Sequence, residues 1–241
     1  STTRHGGVSK GKLATLNINP HRGDEPSAVA ENLQAVAAEI GVQADKVIRL
    51  HQIHETHCLT VTDAFFSLSV TEQNEMEEGK DAVVTDCRNV CIGVHTADCV
   101  PILFYDPVHH AIGAAHAGWR GTVQRIAQHT LRKMTELYGT DPKELKAVVG
   151  PCISLKNFEV GQEVYDAFSA AGFPMERIAR MYEKWHINLP LCNQFQLEEL
   201  GVHAANILQS GICTYDNASD FFSARILKEG FGTIYTGIAL K

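Results

Sequence analysis

Apolar residues recur at two different spacings along this chain, and each change of spacing marks a new element. In PSAVAENLQAVAAEIG the apolar positions Val29, Leu33, Val36, Ala37 and Ile40 keep helical spacing, with Ser27 as the expected N-cap and Gly41 as the stop. β-Branched runs at 47–50 and 59–62 predict strands with a histidine-rich stretch at or between them. SLSVTEQNEMEEGK, acidic and polar, reads as a solvated loop. Four short apolar segments follow closely, DAVVTD, CIGVHT, VPILFY and AIGAAH, and predict strands of a mostly buried sheet.

From Thr122 to Tyr138 the spacing is helical again, stopped at Gly139 with Pro142 beyond it. LKAVVG returns to strand, GQEVYDAFSAAG and LPLCNQFQLEELGVHAANILQSG read as helices with a break near Gly201 in the second, and FGTIYTGIAL closes as a strand. No repeat, low-complexity tract or linker divides the chain. The expected class is mixed α/β (α+β), one domain over residues 1–241.

Composition narrows the partners. With 44% hydrophobic and 20% charged residues in 241, the chain has enough length for a large core. A net charge of -7 argues against nucleic acid or a membrane surface as partner, and favours small molecules. No apolar run reaches the roughly 18–20 residues that span a bilayer, and STTRHGG carries no signal-peptide pattern. Seven cysteines, an odd number in a chain too large to need disulfide staples, suit free thiols in a reducing cytoplasm. Nothing in the pattern specifies an oligomeric state.

Among twelve histidines most are expected to be bystanders: His109 and His110 beside the Asp106-Pro107 turn, and also His5, His21, His129, His186 and His203. Three positions stand apart because each ends a predicted strand, where a sheet can hold a ligand rigidly: His54 in HQIHE, Cys99 in HTADCVP and His116 in AAHAGWRG. Two imidazoles and a thiolate form the donor set of a catalytic zinc site with one open position. The same residues also fit a core histidine beside an inert cysteine, or a Cys99 nucleophile with His116 as its base. No CxxC pair, HExxH helix or deaminase zinc motif is present to decide among these.

The fragments TTRHGGVSKG, LNINPHRGD, HQIH, HTADCVPILFYDP, AAHAGWRGT, GPCIS…FEVGQEV and CTYDN…FFSAR, in this order over nearly the whole chain, resemble the laccase-domain family, also described as multicopper polyphenol oxidases or YfiH-like purine nucleoside phosphorylases. The resemblance implies a single-domain, four-layer αββα sandwich with mixed sheets, and zinc bound by His54, Cys99 and His116. It further implies phosphorolysis of adenosine, inosine, guanosine or methylthioadenosine, with hydrolytic deamination of adenosine. Some relatives are described as polyphenol oxidases, and bacterial ones as peptidoglycan editing factors. Zinc lacks redox chemistry but brings a bound water toward a pKa of about 7, which suits deamination. An oxidase needs several copper centres, whereas ligands for one metal are assignable, although a His₂Cys site also accepts copper.

Phosphorolysis asks for a phosphate cradle beside a nucleoside pocket. Arg120 is a candidate clamp, with Gly118 and Gly121 opening the backbone at the expected helix start, and Arg4 is a second candidate. Asp98 is a candidate to orient a ligand histidine or move a proton, His95 a candidate to face the same site, and Trp119 a candidate to stack a purine. The chain departs from the family at Glu55, where glycine is common, in a longer 67–80 segment, and in FFSARILKEG, which lacks the usual aromatic and second arginine. Those departures bear on substrate choice.

Overall fold

Alternation along the strands sends successive side chains into different cores, and that alternation builds the molecule in layers. The computed structural model describes residues 1–241. In chain order the strands are β1 (Cys58–Val61), β2 (Ala82–Thr85), β3 (Cys91–Thr96), β4 (Val100–Asp106), β5 (Ala111–Ala117), β6 (Lys146–Val149), β7 (Glu159–Val160), β8 (Ala179–Met181), β9 (Trp185–Ile187), β10 (Ile207–Gln209) and β11 (Ile234–Ala239). The helices are α1 (Pro26–Ile40), α2 (Val70–Glu77), α3 (Trp119–Val123), α4 (Ile126–Tyr138), α5 (Gln162–Ala170), α6 (Met175–Ile178), α7 (Leu189–Glu199) and α8 (Ala224–Leu227).

Six strands form a mixed sheet in the order β1-β2-β5-β4-β6-β10, with β1/β2 and β6/β10 parallel and the inner pairs antiparallel. One face of this sheet, with Ala82, Val84, Ile102, Phe104 and Ala115, packs on Ile126, Leu131 and Met134 of α4 and on Cys192, Phe195 and Leu197 of α7. The other face, with Val83, Ile112 and Ala114, meets Ile92 and Val94 of the antiparallel pair β3–β11. Leu33, Val36 and Ala37 of α1 then cover Cys91 and Tyr235 on the far side of that pair. The order helix, sheet, sheet, helix is the expected αββα sandwich.

The middle strand β5 is built from small residues because α4 and β4 crowd its helix-covered face: a Cβ on Gly113 would come 3.0 Å from Met134 Sδ and 3.3 Å from Phe104 Cδ2. Phe104 itself is fully buried, and cutting it to alanine would cost about 3–5 kcal/mol.

Several local expectations are corrected. The N-cap of α1 is Glu25, with Pro26 at the first helical position and Ser27 inside the first turn. The 67–80 segment holds α2, closed by a capping box in which Ser69 and Glu72 satisfy each other's backbone amides. Residues 47–50 are extended but contribute only the Val47–Cys91 bridge. The predicted 122–138 helix is two helices, because Arg125 sits at φ +67° between them and donates from its guanidinium to Ala171 O and Glu199. The expected break near Gly201 is real, since α7 ends there and Gly201 sits at φ +96°, but the chain beyond it makes only a short 3-10 helix at Ala204–Asn206 before β10, which pairs with β6 through Ile207–Ala147.

Candidate metal centre

Strand register brings the three candidate ligands together. Val100 pairs with Ala117 and Pro101 with His116, so Cys99, just before β4, arrives beside the end of β5. His54 comes from the connection before β1, at φ +67°, a left-handed conformation uncommon for residues other than glycine. Asp81, one residue before β2, holds it: its carboxylate accepts from the amides of Ile53 (3.0 Å), His54 (3.0 Å) and Glu55 (2.9 Å). Asp81 Oδ1 also accepts from His116 Nδ1 at 2.7 Å. One buried carboxylate therefore sets both histidines.

The ligand atoms of His54, Cys99 and His116 lie within 4.8 Å of one another, and no other His, Cys, Asp or Glu joins the group. The two imidazoles meet nearly edge-on, at 75° with centroids 4.8 Å apart. With its Nδ1 committed to Asp81, His116 keeps Nε2 for a ligand. Burial opposes ionisation at Cys99 and His116, yet each stabilises the charge of the other. Burial would raise the Cys99 thiol, but His116 and a hydrogen bond from His54 bring it down to about 6. Burial would lower His116, but Cys99 and the Asp81 hydrogen bond raise it to about 9. Asp81, despite burial, stays below its ordinary value because of His116 and the backbone amides.

A thiolate and two imidazoles are a donor set for zinc or copper, and the backbone can pack this closely against them only because residue 118 is glycine. A Cβ there would come 2.9 Å from His54 Cδ2 and 3.3 Å from Cys99 Sγ. The three ligand atoms are close enough together to hold one metal ion. All seven cysteines are free thiols, in keeping with the sequence reading.

The triad opens into a cavity of about 210 Å³ whose walls include Arg22, His21, His95, Thr233 and Phe231. His95 faces the site as expected; burial holds its imidazole well below the ordinary range, which leaves it neutral. His21, read as a bystander, lines the cavity and stacks on His51 at 4.1 Å. The other candidates lie elsewhere. Asp98 is buried at φ +82°, but its carboxylate turns from the histidines to Thr214 Oγ1 (2.6 Å), Ser223 Oγ (2.9 Å) and Arg225 N (2.8 Å). The histidine-orienting carboxylate is Asp81 instead.

Arg120 is exposed, lies over the Trp119 ring at 4.4 Å and is not part of the cavity wall; Trp119 packs partly buried against the main core. Arg4 donates to the carbonyls of Ala14 and Ala218, both at 3.0 Å, and sits over Phe222. Asp81 and Arg22 escape a sequence reading for different reasons. An aspartate before a strand looks like a turn residue, and Arg22 lies more than 30 positions before the first ligand, in NPHRGD.

Residues 1–241 match the family model described as multi-copper polyphenol oxidoreductase laccase. A purine nucleoside phosphorylase of Bacteroides thetaiotaomicron is 42% identical over 242 residues, covering 99% of this chain and 90% of that protein. An adenosine deaminase named RL5, from an unknown prokaryotic organism, is 36% identical over 244 residues, with 100% and 93% covered. The crystal structure of YlmD from Geobacillus stearothermophilus superposes with a TM-score of 0.91 at 29% identity, covering all of this chain and 90% of that one. No helix is long and apolar enough to cross a membrane.

Proposed function

The chain belongs to the multi-copper polyphenol oxidoreductase laccase family, and from that premise we propose that it is a zinc-dependent purine nucleoside phosphorylase that also deaminates adenosine. The observation that carries this reading is the single three-ligand cluster opening into one cavity. Three protein ligands with an open position suit a catalytic zinc, whereas a structural zinc wants four. Zinc bound by His54, Cys99 and His116 would supply Lewis acidity without redox chemistry. One metal position offers a multicopper oxidation too few centres.

The residues of the chain have definite tasks in this scheme. Asp81 keeps the His116 ring and the His54 backbone in place, so that little reorganisation remains at the moment of reaction. Gly118 lets the backbone after His116 pack directly against the His54 and Cys99 side chains. Phosphorolysis makes a bond from a phosphate oxygen to C1′ of the ribose as the C1′–N9 bond breaks, and the departing purine takes a proton. Deamination adds water at C6 of adenosine and releases ammonia, giving inosine.

Purified protein of known metal content, given adenosine and phosphate, is expected to release adenine and ribose 1-phosphate in proportion to its zinc. Cys99→Ala should reduce both activities by at least about two orders of magnitude. Full activity in that variant would end the zinc reading. The Cys99–His116 charge pair also supports a second reading, a cysteine hydrolase. That reading predicts a covalent intermediate on Cys99 visible by mass spectrometry, and the zinc reading predicts none.

A further inference from the structure

We propose that Arg22, with His95 beside it in the cavity wall, forms an oxyanion subsite that takes inorganic phosphate, in place of the helix start at Arg120. This rests on the phosphorolytic reading and assigns its second substrate a position. The chain carries 28 acidic residues and a net charge of -7, yet no Asp or Glu lines this cavity. Arg22 is half-buried in its wall and makes no ion pair with any carboxylate. Of its nitrogens only Nε is bonded, to Phe231 O at 2.9 Å, while the guanidinium carbon lies 4.3 Å over the Phe231 ring. The two terminal nitrogens remain as a fork of donors, the geometry that recognises phosphate oxygens.

The turn that presents Arg22 is fixed locally. Asn19 Oδ1 accepts from His21 N at 2.9 Å, Pro20 opens the turn, and Gly23 leaves it at φ +71°. The second observation is independent: His95 is 4% exposed and its Nε2 is buried with no partner, while Nδ1 lies 3.3 Å from Thr233 Oγ1. A buried ring nitrogen without a partner is unfavourable unless a ligand completes it. By contrast Arg120 is exposed on a helix of five residues.

The test is binding of inorganic phosphate by calorimetry, beside the phosphate and adenosine KM values, in the wild type, R22M, R22K and R120M. R22M should weaken phosphate binding and raise the phosphate KM by at least about tenfold, with the adenosine KM moving less than about threefold. R22K, which keeps the charge but loses the fork, should fall between, and it covers the case in which R22M does not fold. Phosphate binding by R22M or R22K at wild-type strength, or a loss confined to R120M, would overturn the subsite. If phosphate binds through Arg22 but no ribose 1-phosphate forms, the phosphorylase reading fails and the subsite stands. If phosphorolysis proceeds and the Arg22 variants match the wild type, the subsite fails and the phosphorylase reading stands.

Discussion

Asp81 and Asp98 are both buried carboxylates next to the same triad, and they hold different parts of the molecule. Asp81 is 27 residues from His54 and 35 from His116, yet it bonds to both. Asp98 adjoins Cys99 in sequence, but its three hydrogen bonds reach more than 100 residues ahead to 214–225. Neighbourhood in the chain thus says little about which carboxylate serves the ligands. On an extended backbone adjacent side chains diverge, and the φ of +82° at Asp98 turns its carboxylate toward the closing segment.

The largest effect is expected at Asp81. Asp81→Ala strips a buried charge partner from His116 and three backbone amides, so it should cost about 3–5 kcal/mol in denaturant unfolding. Asp81→Asn keeps the shape and should weaken zinc binding by about 10–100-fold in a chelator competition. Asp98→Asn should reverse the balance, losing about 2–4 kcal/mol of stability through mismatched buried donors while lowering zinc affinity less than Asp81→Asn does. Equal losses of affinity in the two variants would erase the distinction drawn between these carboxylates.

A third prediction concerns pH. In metal-free protein the Cys99 thiol is lowered to about 6, so alkylation by iodoacetamide should rise with a midpoint near pH 6. Cys58, partly buried and pushed up to about 12 by desolvation, should not react in that range. The signs for stability follow from the two shifts. The Cys99 contribution is lost as pH falls through about 6, and the His116 contribution is lost as pH rises through about 9. Metal-free stability should therefore be greatest between those values; a thiol that titrates near its ordinary 9 would show that the pair is not formed. The smallest effect is expected far from the site: Ser69→Ala removes the cap of α2 and should cost about 1 kcal/mol without changing zinc affinity.

Much of this was legible in the residues. The apolar rhythm placed α1 and the central strands, and the strand ends at β4 and β5 pointed to Cys99 and His116, whereas the strand expected to end at His54 is absent and that ligand sits on the irregular connection before β1. The α2 segment was hidden by its acidic composition, although Ser69 and Glu72 already spell a capping box. β10 was hidden because ILQ is too short for a period to distinguish helix from strand. Arg125 gave no warning of its left-handed backbone, since arginine carries no preference for it. Asp81 and Arg22 belong to the site through tertiary contacts alone, which no local pattern encodes. The segment AAHAGWRGT does lie next to the metal centre, but what it contributes there is the ligand His116 and, at Gly118, a backbone that packs directly against His54 and Cys99.

The central claim is that His54, Cys99 and His116 hold one catalytic zinc with an open position. Zinc-edge X-ray absorption on purified protein of measured metal content tests it most directly. The expected result is one sulfur at about 2.3 Å and two imidazole nitrogens at about 2.0–2.1 Å, plus one exchangeable oxygen, with the sulfur lost in Cys99→Ser. Four protein ligands, or a zinc shell that keeps its sulfur in Cys99→Ser, would contradict the account.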